Sequence, residues 1–207
     1  MKGLLLKDWY VLLKQGRIMF FLIVFYTVLS VNGNEAFGAF ASVFVSVLPL
    51  TLMGIDERNK WDILATAMPY RKRDIVLSRY LIVALGLFIL GAVYFISAFV
   101  YNIFLDKTGE LFQVEASVIT IAVGLIYPTF SLPIVFRLGV EKARLWSIIS
   151  TGGLAGIGAV FMYNKFSVTA EIINFLLDNR WFIIVVSILL FMLSAAVSVR
   201  LYEKREF

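Results

Sequence analysis

The chain has 207 residues, 61% hydrophobic and 15% aromatic, with a mean hydropathy of +0.90; soluble domains hold roughly 45–50% apolar residues, so a membrane is required. Cysteine and histidine are both absent, which removes a disulfide framework, a zinc site of the usual kind, and Cys- or His-based catalysis; no metal site is expected. The net charge of +5 does not indicate nucleic acid, because the basic residues sit at the ends of apolar runs, where membrane topology puts them.

Residues 1–17 mix charged and apolar side chains, unlike a cleavable signal. Leu5, Trp9, Leu12 and Leu13 share a helical face, with Lys7, Lys14 and Gln15 elsewhere around it. This predicts a helix lying in the membrane interface, its aromatic rings at headgroup depth; the alternative is an inward extension of the first span. Six apolar runs follow, at 18–31, 36–55, 80–105, 116–136, 145–163 and 181–199. A hydrocarbon core of ~30 Å needs ~20 helical residues. The first run is short, so it either reaches back toward Val11 or is partly buried. Residues 32–35 leave room only for a tight connection between antiparallel helices.

The stretch 56–79 is the longest polar interruption, with six basic and four acidic residues. Trp61, Leu64, Ala65 and Met68 recur at i, i+3, i+4 and i+7, which predicts a short one-sided helix with Arg58, Asp62 and Thr66 opposite. Pro69 ends it, and Asp74 stands where an N-cap would precede the next span. Its apolar face must pack on the membrane surface, on the rest of the protein or on a cytoplasmic partner.

In the fourth run, Pro128 and Pro133 each remove a backbone hydrogen bond, predicting a kink or a broken segment whose freed groups neighbouring helices satisfy. The fifth carries Gly152, Gly153, Gly156 and Gly158 with Ala155 and Ala159. These small-xxx-small pairs allow close helix approach, within one subunit or between two. In 164–180, Ile172, Ile173, Phe175 and Leu176 alternate with Glu171, Asn174 and Asp178, predicting a short amphipathic helix at the outer interface.

With both termini inside, segments 1–17, 56–79, 137–144 and 200–207 hold 16 of the 19 Lys and Arg residues. That is a positive-inside distribution. Within the six runs as bounded there is no Asp, Glu, Lys or Arg, which argues against an ion-coupled transporter. No P-loop is present, so any energy for transport comes from another polypeptide.

Three stretches carry a family likeness: LLLKDWYVLLKQ, DERNKWDILATAMPYRKRDIVLSRYL and IYPTFSLPIVFRLGVEKAR. With their order and spacing, the chain resembles the ABC-2 type permeases of ATP-binding-cassette exporters. The likeness is closest to the short six-span permeases of bacterial peptide-export and antimicrobial-immunity systems, phenol-soluble-modulin exporters among them. The resemblance implies two permeases, identical or paralogous, docked on two ABC ATPase subunits that hold ATP and Mg, with no cofactor in this chain. It implies that the helix around Glu57–Met68 is a coupling helix seated in an ATPase groove, with Asp56, Glu57, Arg58, Trp61, Asp62, Leu64, Ala65, Met68, Pro69 and Arg71 at that contact. It also implies that the first and fifth spans line the dimer interface, which suits Gly152, Gly153, Gly156 and Ala159.

The expectation is therefore an all-α, six-span integral membrane protein of one domain. Its place would be the bacterial cytoplasmic membrane, with no catalytic activity of its own and an amphipathic or antimicrobial peptide as cargo, before an antibiotic or lipid. The alternative is a non-transporting membrane scaffold or regulator.

Overall fold

The computed structural model describes residues 2–31, 36–61, 64–65, 71–104, 112–140, 142 and 179–204. Every regular element among them is a helix: α1 (Lys2–Gln15), α2 (Arg17–Val31), α3 (Ala36–Arg58), α4 (Lys72–Phe104), α5 (Phe112–Leu138) and α6 (Arg180–Glu203). Among the described residues four single helices are long and apolar enough to cross a membrane, Phe37–Arg58, Lys72–Ser97, Thr120–Leu138 and Trp181–Glu203, and the bent pair Gly3–Gln15 and Arg17–Val31 would make a fifth if taken as one span. The four correspond to the second, third, fourth and sixth expected spans. The fifth expected span, and the outer amphipathic helix up to residue 178, lie outside the described residues.

The short first span has a local cause. Between α1 and α2 the chain bends by 81° at Gly16, whose N–H donates to the Leu12 carbonyl at 2.7 Å. A Cβ on Gly16 would stand 2.7 Å from that same oxygen, so no other residue fits without a shift. The span therefore does not reach back toward Val11. The 15 residues of α2 rise only ~22 Å at ~1.5 Å each.

Past the bend, α1 lies across the feet of α2, α3 and α4. Its buried stripe is Leu4, Asp8 and Leu12 at a spacing of four, while Leu6, Trp9, Tyr10 and Leu13 are exposed. The expected grouping of Leu5, Trp9, Leu12 and Leu13 is thus split. Leu12 packs inward against Leu48 and Leu52, Leu13 is exposed, and the half-exposed Trp9 meets Phe20 of α2 edge-on at 6.0 Å.

The remaining helices form the bundle. α4 and α5 pack on each other and on both α3 and α6, and α2 leans on α3. One core cluster gathers Ala41, Val45, Val83, Leu87, Leu90 and Leu125 along the middle of α3, α4 and α5. A second joins Leu4, Leu50, Ala65, Val76, Leu132, Phe136 and Tyr202 at the end where α3, α5 and α6 finish and α4 begins.

Both prolines of the fourth span lie inside one continuous helix, so the segment is not broken. Pro128 leaves the Gly124 carbonyl without its usual donor, and Pro133 leaves that of Thr129. The hydroxyl of Ser46 on α3 donates to Gly124 O, and that of Ser194 on α6 donates to Thr129 O at 2.7 Å. Ser194 is also 2.8 Å from the Tyr80 hydroxyl, which lies 2.7 Å from Ser198. The proline positions are where α5 is fastened to its neighbours. α5 ends at Gly139, whose φ of 81° and N–H to Val135 O bond at 2.9 Å form a left-handed helix cap that favours glycine.

Candidate functional site

The site begins at the foot of α3. Asp56, Glu57 and Arg58 are its last turn, not the start of a separate helix. The helix stops because Lys60 takes a left-handed φ of 52°, and helical geometry resumes at Trp61. At the other end of the connection, α4 starts at Lys72. The N–H of Asp74 donates to Arg71 O at 2.9 Å. Arg71 therefore occupies the cap position and Asp74 stands within the first turn, where its charge still favours the helix dipole.

Four charges converge beneath these helix ends. Lys7 Nζ lies 2.8 Å from Asp56 Oδ1 and 3.2 Å from Asp8 Oδ1. Arg79 Nη1 lies 2.7 Å from Asp8 Oδ2, and its Nη2 donates to Asp56 Oδ2. Asp8 is 0% exposed, Arg79 2% and Asp56 7%. Two cations and two anions make a neutral set, the condition under which charges tolerate removal from water. The cluster ties α1, α3 and α4 together at one point.

The two carboxylates are not equivalent. Asp56 accepts aligned hydrogen bonds from Lys7 at 2.8 and 2.9 Å and a third from Arg79. Asp8 has fewer contacts, with Arg79 Nη1 at 2.7 Å from its Oδ2 and Lys7 Nζ at 3.2 Å from its Oδ1.

Trp61 joins this cluster. Lys7 Nζ sits 4.1 Å from the centre of its ring, a cation–π contact, and the indole is half-buried against the Ala65, Ile75 and Phe136 core. Met53, Asp56, Trp61, Arg79, Phe136 and Tyr202 are among the walls of a small cavity of about 30 Å³. Glu57 Oε2 accepts the Val140 N–H at 3.2 Å, fastening the end of α3 to the end of α5, and Lys72 Nζ reaches the Glu203 carbonyl at 3.3 Å.

Of the residues expected at the partner contact, Asp56 and Trp61 are thus engaged within the bundle, and Ala65 is buried. Arg58, Leu64 and Arg71 are exposed, Leu64 by 53%. The face expected to carry Trp61, Leu64 and Ala65 together is divided, with Leu64 turned outward. Asp62, Met68 and Pro69 lie outside the described residues, as do Gly152, Gly153, Gly156 and Ala159. Sequence reasoning missed Lys7, Asp8 and Arg79, because Asp56 and Arg79 stand one residue beyond the spans drawn to Ile55 and from Tyr80. The available signal was an acid and a base closing consecutive spans, with Asp8 midway between Leu4 and Leu12 on one helical stripe.

A family model described as an ABC-2 family transporter protein matches residues 3–203, from the start of α1 to the last turn of α6. The chain belongs to the ABC-2 transporter family. It is a multi-pass membrane permease of an ABC transporter, and the ABC-2 family works with an ABC ATPase. No curated protein and no solved structure matches the chain. At the far end of this ABC-2 permease from the charge cluster, Thr27, Val28, Val31, Val93, Ile96 and Val100 line an apolar groove of about 430 Å³ between α2 and α4.

Proposed function

We propose that this chain is the membrane half of an ABC exporter, working as a pair of identical or paralogous permeases on two ATPase subunits that hold the ATP and Mg. The chain itself catalyses nothing. The proposed layout is six spans, with the span over 145–163 completing the set, both termini in the cytoplasm and the bacterial cytoplasmic membrane as its place. The positive-inside count supports that orientation.

The observation that carries this reading is the segment between α3 and α4. Trp61 and Ala65 root it in the bundle, while Arg58, Lys60, Leu64 and Arg71 are exposed around them. Exposed arginines are favoured anchors of protein interfaces, and Leu64 adds an apolar side chain open to a partner. A push on this segment reaches α3 directly, α5 through Glu57 and α1 through Lys7. It is the coupling element, and the small-residue stripe Gly152, Gly153, Gly156 and Ala159 is the pairing surface.

The cargo is an amphipathic peptide. The spans as described offer apolar and hydroxyl-bearing surfaces, and the groove between α2 and α4 is walled by hydrocarbon with Thr27 and Ser97. The test is co-purification with an ABC ATPase, followed by ATP hydrolysis and vesicle uptake measured with amphipathic peptides, antibiotics and lipids in parallel. Peptide-stimulated hydrolysis with uptake supports the reading. Association without any stimulated uptake would leave a scaffold in its place.

A further inference from the structure

The difference between the two carboxylates of the buried cluster has a mechanical meaning. Asp56 rides on the last turn of α3, next to the segment that meets the ATPase. Arg79 rides on α4, and Lys7 and Asp8 ride on α1. Any movement that draws the foot of α3 away from α1 and α4 takes Asp56 from both of its cations. Arg79 is 2% exposed, so without another anion it would be left buried and uncompensated, which effectively forbids the movement. Asp8 already stands 2.7 Å from Arg79 and 3.2 Å from Lys7.

The geometry points to Asp8 as a reserve counter-ion: when the coupling segment moves, Arg79 and Lys7 pass from Asp56 to Asp8, and the cluster stays neutral in both positions. No proton is transferred and no bond is broken; the same guanidinium and ammonium rotate from three aligned hydrogen bonds on one carboxylate to equivalent bonds on the other. Arg79 is the pivot, since its two terminal nitrogens already face one carboxylate each. Asp8 acts through Arg79 and is a positioning residue. The cluster is then a two-position joint rather than a rivet.

The proposal rests on the exporter reading, and its test separates the two. The chain has no cysteine, so Tyr10→Cys and Asn59→Cys, both at exposed positions, accept a pair of spin labels on α1 and at the foot of α3. Their separation is measured in the permease–ATPase complex, without nucleotide and with ATP trapped. The informative variant is Lys7→Gln with Asp8→Asn, which removes one cation and one anion and leaves Asp56 paired with Arg79. In the parent, ATP adds a second, longer distance. In the double variant the nucleotide-free distance is kept and the ATP-induced population falls about a hundredfold or more, the size of effect that follows from a buried charge left unpaired; peptide uptake falls with it. If the double variant shows the parent's two distances, or fails to insert or to bind the ATPase despite its balanced charge, the reserve role of Asp8 is overturned. If the parent itself shows no ATPase association, the exporter reading fails, and this one with it.

Discussion

Arg79 is the side chain on which the most depends, because it holds two carboxylates that a membrane protein has little other means to neutralise. Replacing it with glutamine leaves Asp8 and Asp56 facing Lys7 alone, two anions to one cation in a largely buried site. Removing one member of a buried ionic set costs about 3–5 kcal/mol, so Arg79→Gln is expected to lower the thermal unfolding midpoint of the detergent-solubilised permease sharply, or to remove it from the membrane. Arg79→Lys restores the charge but not the fork that lets one residue face two carboxylates. It is expected to fall between the two, and a lysine variant no better than glutamine would show that shape rather than charge governs the site. Lys7 is less exacting. It is partly exposed, so solvent shares the work of compensating it, and Lys7→Arg is expected to keep both the carboxylate contacts and the stacking on Trp61.

At the scale of the helix, α5 is shaped by what its prolines give up. Ser194→Ala leaves the Thr129 carbonyl, already deprived of its helical donor by Pro133, without a partner in an apolar setting, at a cost of about 1–3 kcal/mol. The same loss is expected much reduced in a Pro133→Ala background, where the helix supplies the N–H itself. A double-mutant cycle on unfolding in detergent reads that coupling directly, and additive losses would show that Ser194 serves Tyr80 rather than the carbonyl. The prolines and the four long apolar runs were open to view in the sequence, whereas the break at Gly16 was not read from it and α4 begins eight residues before the run drawn from Tyr80. The serine partners were not open to view. Which helix lies beside Thr129 is decided by packing over a separation of 65 residues, and no local pattern holds it. Asp8 was hidden differently: the periodicity that marks an apolar face discounts a carboxylate, yet here Leu4, Asp8 and Leu12 form one inward stripe because Arg79 waits opposite.

For the whole molecule, the segment between α3 and α4 and the pairing surface make separable demands. Leu64 is exposed and beside the buried Ala65, so Leu64→Asp is expected to leave insertion and unfolding unchanged while abolishing ATPase co-purification, since a charge at the centre of an apolar contact opposes burial. Gly156→Leu is expected to do the reverse, keeping the ATPase while reducing cross-linked permease pairs, because a bulky side chain prevents close helix approach. The ATPase contact depends on which side of the membrane the charge cluster faces, and the exposed cations give the physical reason for one answer. Arg58, Lys60, Arg71, Arg73, Arg137, Arg200 and Lys204 are all exposed on helix ends or connections that α3, α4, α5 and α6 bring to the same end of the bundle. Carrying so many cations across the bilayer during insertion is opposed by the cost of each in hydrocarbon and, in an energised cell, by the membrane potential. The cysteine-free background makes this measurable. A single cysteine at Lys60 or Lys204 is expected to resist a membrane-impermeant maleimide in intact cells and to react once the membrane is opened, whereas one at Asn179, before α6, reacts from outside. Labelling of the first two in intact cells would place the coupling segment out of reach of any ATP-driven subunit, because ATP is held in the cytoplasm.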